Sequence, residues 1–228
     1  MVSLRLRQRL LRHHLPLGLV TLAGVGVFYA LRPIADLVGR LSFATAYPAL
    51  GLLAATLLIG PVKLLAKERL TVSMDLRRDV GIWAGITGLV HAGIGQCVHL
   101  RGRPWLYYVY GPTETTHAFP IRHDLFGLAN YTGLAATFVL LALLATSNDA
   151  MLRKLSTPQW KQLQRWNYLC FGLSGIHTFA YQEGVESQTW PFLGLAIAAV
   201  AIAAGLQLAG YRRRRHSNIA GDGKTSRH

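Results

Sequence analysis

The feature that most restricts this chain is a succession of long apolar runs separated by basic loops. Crossing a hydrocarbon core of ~30 Å takes about 20 apolar residues at ~1.5 Å rise per residue. Six runs of that order are present, at 15–31, 43–65, 80–100, 125–146, 166–181 and 191–209. Arg32-Pro33 stops the first, Gly60-Pro61 interrupts the end of the second, Arg122-His123-Asp124 precedes the fourth, and the fifth is the least apolar. With 51% hydrophobic and only 15% charged residues in 228, the balance is not that of a water-soluble domain. The runs are continuous and not alternating, which excludes a β-barrel, and they also exclude a disordered chain or a disulfide-stapled secreted domain. The expected fold class is an all-α integral membrane protein, a six-transmembrane-helix bundle.

Charge sets the expected orientation. The net charge of +14 comes from 24 Lys and Arg against 10 Asp and Glu. These cations cluster between apolar runs, so membrane lipid headgroups are the expected partner and nucleic acid is not. With the N-terminus in the cytoplasm, segments 1–14, 62–78, 147–165 and 211–228 hold 19 of the 24, and the opposite loops hold Arg32, Arg40, Arg101, Arg103 and Arg122. Glu183 and Glu186 lie between the last two runs. That bias predicts both termini in the cytoplasm and a multi-pass protein of the bacterial inner membrane. No small-residue cleavage site follows the Arg-rich start, so 15–31 is read as a span and not a signal peptide. The expected division is a basic N-terminus at 1–14, a membrane domain at 15–210 and a basic, disordered tail at 211–228. Cys97 and Cys170 fall within apolar runs and are expected to behave as small hydrophobes.

Ionisable groups inside a span are costly and mark function, so the nine histidines matter individually. His13, His14, His216 and His228 sit in basic ends, where solvated or headgroup-facing positions are expected. His99, His117 and His123 belong to the outer loop between the third and fourth runs. His91 and His177 are different. His91 lies 13 residues beyond Arg78 and His177 lies 12 beyond Arg165. On helices these offsets are roughly 19 and 18 Å, so the two rings stand at one depth on parallel spans. Two neutral imidazoles facing each other across a flat tetrapyrrole are what six-coordinate haem b requires. At about 100° per residue, Ala84, Gly88 and Gly95 share the His91 face, and Cys170, Ser174 and Ala180 share that of His177, giving side-chain-poor walls. Small residues also serve close helix packing without any cofactor, with each histidine bonded to a neighbour.

Several stretches resemble a known family. Residues 77–83, Arg-Arg-Asp-Val-Gly-Ile-Trp, leading to Leu89-Val90-His91 resemble the third span of the ferric reductase-like transmembrane domain family. The segment 146–155, with Trp160-Lys161-Gln162-Leu163 and Asn167-Tyr168-Leu169, resembles the haem-binding subunit of the bacterial periplasmic methionine sulfoxide reductase system. Gly39-Arg40 and 54–61 resemble its second span, and the similarity runs from about residue 36 to 209. The resemblance implies a b-type cytochrome passing electrons to a partner on the outer face. It also implies that His91 and His177 are the outer haem ligands, matching the depth count. The family's Trp-x-x-Leu-His motif ends here in Gln164. Glutamine is a poor iron ligand, so one outer-side haem is expected and a second, inner haem is not.

An outer haem about 18 Å from the inner boundary is a long single hop from a soluble donor. Quinol, dissolved in the membrane, is therefore the expected electron source. Arg77 and Arg78 are read either as topology anchors or as holders of a flavin phosphate, with FMN as the cofactor. The outer loop carries Trp105, Tyr107, Tyr108 and Tyr110, interfacial aromatics that can also cover the haem edge or, with Arg101 and Arg103, dock a soluble periplasmic redox partner. The leading expectation is an electron-transfer subunit of an oxidoreductase system. The alternatives are a stand-alone ferric or quinone reductase, and a cofactor-free transporter or assembly factor whose histidines satisfy each other or carry protons.

Overall fold

The computed structural model describes residues 4–66, 73–100, 102–112, 119–184 and 190–225, so the readings attached to Arg101, His117, Glu186 and His228 fall outside the described residues. The architecture is all-α. Helix α1 (Leu4–Arg9) passes through a π-turn at Leu10–His14 into α2 (Leu15–Leu31), followed by α3 (Leu37–Leu65) and α4 (Met74–Gly95). After a 3-10 turn at Pro104–Tyr107 come α5 (Leu125–Ala145), the short α6 (Asp149–Lys154) and α7 (Thr157–Gln164), then α8 (Trp166–Gly184) and α9 (Trp190–Thr225). Among the described residues the sole β feature is one antiparallel bridge, Val109 to Ile121.

Side-chain caps start several of these helices. Asp36 accepts from the Gly39 amide at 2.6 Å, Ser73 from Leu76 at 3.0 Å and Asp124 from Gly127 at 2.7 Å, each satisfying an amide that has no intrahelical partner. Asp36 starts α3 six residues before the apolar run at 43. At the other end α4 stops at Gly95, so Cys97 and His99 lie in the following turn and bend and not within the span expected to reach 100. Cys97 is accordingly exposed, whereas Cys170 is buried. Helix α9 continues beyond Tyr211, where unordered chain is expected; arginine is a good helix former, and 212–215 extend the last turns.

Helix α3 is the hub, packed against α2, α4, α8 and α9, while α5 pairs with α8 and touches α4. Phe43, Tyr47, Leu50, Leu53 and Leu57 line its buried face, with Phe28 stacked on Tyr47 and Phe192 edge-on to Phe43 at one end. The outward faces of α2, α5 and α9 are apolar and bare: Leu22, Phe138 and Ile202 are each more than half exposed, as lipid-facing residues are. Among the described residues, four helices are long and apolar enough to cross a membrane, Arg7–Leu31, Leu37–Leu65, Leu125–Ala145 and Trp190–Arg215. Helices α4 and α8 fall outside that set. They carry Asp75, Arg77, Arg78, Asp79 and His91, and Asn167, His177, Gln182 and Glu183, respectively.

Cationic segments gather at one end of the bundle. Asp79 is completely buried and receives Arg9, His13 at 2.7 Å and His14 at 3.3 Å, while Arg78 donates to Asp149 at 2.7 Å. Arg213 donates to the Leu65 carbonyl at 3.1 Å. His13 and His14 are thus tied to a carboxylate instead of standing in solvent, because the π-turn at 10–14 presents both rings toward α4.

Candidate functional site: a paired-imidazole cavity

The depth count brings His91 and His177 to the same place. Their ring centroids are 6.1 Å apart, with planes at 70°, and both line one cavity of about 720 Å³ enclosed by α3, α4, α5 and α8. Cofactor-sized sites span ~300–1,000 Å³. Gly88 and Gly95 on α4, and Ser174 and Cys170 on α8, line the same cavity, as does Ala84; Ala180 is buried but lies outside its lining.

Each imidazole is oriented by a backbone carbonyl that sequence reading did not supply. His91 Nδ1 lies 3.0 Å from Ser42 O on α3, and His177 Nδ1 lies 2.7 Å from Ala129 O on α5. A carbonyl oxygen only accepts, so both Nδ1 atoms carry the hydrogen and both Nε2 atoms keep a free lone pair. This is the tautomer that a metal-ligating histidine adopts when a second group fixes its ring. The spacing agrees with such use: a metal–imidazole bond of about 2.0 Å on each side puts ring centroids roughly 6 Å apart. The lining is otherwise mainly apolar, with Phe43, Leu50, Leu53 and Leu140 among it.

Gly133 is a site residue the sequence did not flag. A Cβ there would fall 2.7 Å from His177 Nδ1 and 3.0 Å from its Cε1, so the ring occupies space that only glycine leaves open. Tyr181, one helical turn after His177, is a second. Its ring lies 5.8 Å from that of His177, and its hydroxyl meets His99 Nε2, which places His99 on the cavity rim. An i, i+4 count from His177 reaches Tyr181; nothing local in the sequence marks Gly133.

The loop aromatics divide. Trp105 is exposed, but Tyr107 is 1% exposed, a core position unlike the interfacial one expected. Its hydroxyl donates to Gly95 O at 3.1 Å and accepts from the His99 amide at 2.9 Å, closing the free end of α4. Tyr108 lines the cavity, and its hydroxyl donates to Gln96 at 3.2 Å. Tyr110 packs against His123.

Arg77 and Arg78 lie elsewhere, on a second cavity of about 560 Å³ at the cationic end, which Gln164 also lines. Arg77 Nε donates to Thr56 O at 3.1 Å, and Arg78 Nη1 donates to Asp149.

Fold and cavity together define a helical membrane-type protein built around two oriented imidazoles with free Nε2 atoms. In sequence the chain is MsrQ-like. It is 29% identical over 154 residues to the protein-methionine-sulfoxide reductase heme-binding subunit MsrQ of Yersinia pseudotuberculosis serotype O:1b (strain IP 31758), and 29% identical to those of Yersinia pestis strain Pestoides F and bv. Antiqua strain Angola. Each match covers 67% of this chain and 66% of the relative, slightly under two thirds of its length. No family profile matches the chain, and no solved structure matches it significantly.

Proposed function

We propose that this chain is a haem b-binding membrane subunit that relays electrons, with His91 and His177 as axial ligands of a single outer-side haem. The observation that carries the proposal is the pair of Nδ1-anchored imidazoles 6.1 Å apart in one apolar cavity. The MsrQ relatives are named as heme-binding subunits, which supports the same cofactor. When bound, haem supplies a one-electron couple whose potential the surroundings tune.

The chain's own residues perform the rest. The Ser42 and Ala129 carbonyls hold tautomer and ring orientation. Gly88, Gly95 and Ala84 leave the α4 wall flat, and Phe43, Leu50 and Leu53 keep water from the floor. Tyr108, Tyr181 and His99 close the rim. A cofactor-free bundle in which the two histidines satisfy each other is less well supported, since each Nδ1 bonds a backbone carbonyl instead of the other ring.

The remaining parts of the reading follow from position. The gathering of Arg9, Arg78 and Arg213 at one end supports a cytoplasmic face there and six spans with both termini inside, in the bacterial inner membrane. Arg77 and Arg78 are each engaged by the bundle, so quinol is the proposed donor in preference to a flavin whose phosphate they hold. Exposed Trp105 and Arg103 at the opposite end are the proposed docking face for a soluble periplasmic redox partner. Substrate reduction belongs to that partner, and a second, inner haem is not part of the proposal.

The test is a reduced-minus-oxidised visible spectrum of the chain purified from haem-replete cells, alongside His91→Ala and His177→Ala. A b-type difference band in wild type that is lost in both variants is expected. A colourless wild-type protein without a Soret peak would refute the proposal.

A further inference from the structure

The inner cavity is lined by hydrogen-bond donors that nothing in the bundle satisfies. Three buried N–H groups have no partner, Arg78 Nε on α4 and Trp160 Nε1 and Gln164 Nε2 on α7, and all three side chains line it. A buried donor without an acceptor is costly, so these groups mark a place for one. The charge in the wall is already answered. Arg77 Nε donates to Thr56 O at 3.1 Å, Arg78 Nη1 donates to Asp149 at 2.7 Å, Arg214 is engaged as well, and Lys161 and Arg165 are exposed. What the cavity lacks is a neutral oxygen acceptor and not a counter-ion.

The rest of the wall gives that acceptor an apolar body. Leu57, Leu140, Leu143 and Leu144 line the same cavity, whose volume of about 560 Å³ lies in the ~300–1,000 Å³ range of small-molecule sites. Gly60, Tyr168 and Tyr211 also belong to the lining and are exposed on the sides of α3, α8 and α9. The opening is therefore lateral, through helix sides that face lipid in a bilayer. A Cβ at Gly60 would meet nothing within 4 Å, which leaves room for an apolar tail on that side. Leu53 and Leu140 line both this cavity and the one that holds His91 and His177, so a single layer of side chains separates the two there.

We infer that the inner cavity binds the head of a membrane quinone, with Trp160 and Gln164 donating to its carbonyl oxygens and its tail leaving between helices. The inference rests on the reading of quinol as electron donor and gives that donor a place, next to the imidazole cavity. The glutamine that makes a poor iron ligand makes a good donor to a carbonyl. A phospholipid or flavin phosphate would have to compete with Asp149 for Arg78.

The test uses the full chain, delipidated in detergent and titrated by calorimetry with ubiquinone-1 and with 2,3-dimethyl-1,4-naphthoquinone. At least one of these benzoquinone and naphthoquinone heads should saturate a single site. Trp160→Phe and Gln164→Leu each remove one donor and should weaken that site roughly 2- to 12-fold. Gln162→Leu, on the exposed side of α7, should leave it unchanged. Thermal melts of each variant separate lost binding from lost folding. No saturable binding of either quinone, or wild-type affinity in both donor variants, would overturn the inference. So would displacement of the quinone by equimolar phosphatidylglycerol or FMN, which would make the cavity an anion site. The visible spectrum is read on the same samples. A protein with the b-type band but no quinone site refutes this inference alone, and a colourless protein that binds quinone refutes only the paired-imidazole reading.

Discussion

Gly133→Ala probes how α5 holds the His177 imidazole. The added Cβ would lie 2.7 Å from Nδ1, 3.0 Å from Cε1 and 3.4 Å from Cγ, three atoms of one rigid ring. No flexible end is available to swing aside, so restoring ordinary contact at 3.4 Å moves the ring by about 0.7 Å or turns it off its rotamer. Either movement breaks the 2.7 Å bond from Nδ1 to Ala129 O. A lost hydrogen bond of about 1 kcal/mol and an off-rotamer cost of about 0.5–1.5 kcal/mol together weaken cofactor retention roughly 10- to 70-fold. That falls within the ~10–100-fold typical of losing a group that orients a metal ligand. The assay is haem transfer to excess apo-globin, followed at the Soret band. Gly172→Ala is the control, since it lies on α8 with His177 but outside the cavity lining, and its Cβ would meet nothing within 4 Å. With no atom displaced, the control should lose less than about threefold. Retention within twofold of wild type in Gly133→Ala, or an equal loss in the control, would refute the steric account.

Two other substitutions test the ends of the bundle. Asp79→Asn removes the only charge from a fully buried position that receives Arg9, His13 and His14, and should cost about 2–4 kcal/mol, read as a lower melting temperature in detergent. An unchanged melt would mean that these contacts do not anchor the N-terminal helix. Tyr107→Phe removes the hydroxyl that joins Gly95 O to the His99 amide. It should speed amide exchange at His99 about 5- to 30-fold, the equivalent of ~1–2 kcal/mol, and protection equal to wild type would show that the loop holds α4 by other contacts.

The histidine pair was legible in the sequence because helix geometry converts residue counts into depth: 13 and 12 residues from basic anchors leave two rings at one level. The small residues Gly88, Gly95 and Ser174 were legible for a related reason, since a 100° step assigns each to the histidine face. What fixes the rings was not legible. Ser42 and Ala129 act through main-chain oxygens, which every residue possesses, so their identity carries no signal. Helices α4 and α8 were read from the sequence as spans, yet both fall outside the four described helices that length and apolarity alone mark. Buried hydrogen bonds such as Asn167 to Thr56 and Gln182 to Tyr47 offset their polar residues, and hydropathy does not register a partner on another helix. His13 and His14 were misjudged because a basic segment reads as solvated until a buried carboxylate on a distant helix is known.

The two ring anchors share a construction that links helix geometry to the chemistry of the cavity. A carbonyl inside an α-helix already receives the amide four residues ahead, so an imidazole must use its second lone pair and approach past the side chain at that later position. For Ala129 the later residue is Gly133, and for Ser42 it is Ala46; both line the cavity. The tighter bond, 2.7 Å to Ala129 O against 3.0 Å to Ser42 O, occurs where the later residue has no Cβ at all. The Ser42 carbonyl also accepts from the Thr45 hydroxyl at 3.0 Å, so the residue one turn past each acceptor and the other donors to it together set how closely each ring is held. A larger side chain at Ala46 should act on His91 as one at Gly133 acts on His177, releasing Nδ1 and making the tautomer at Nε2 a matter of chance.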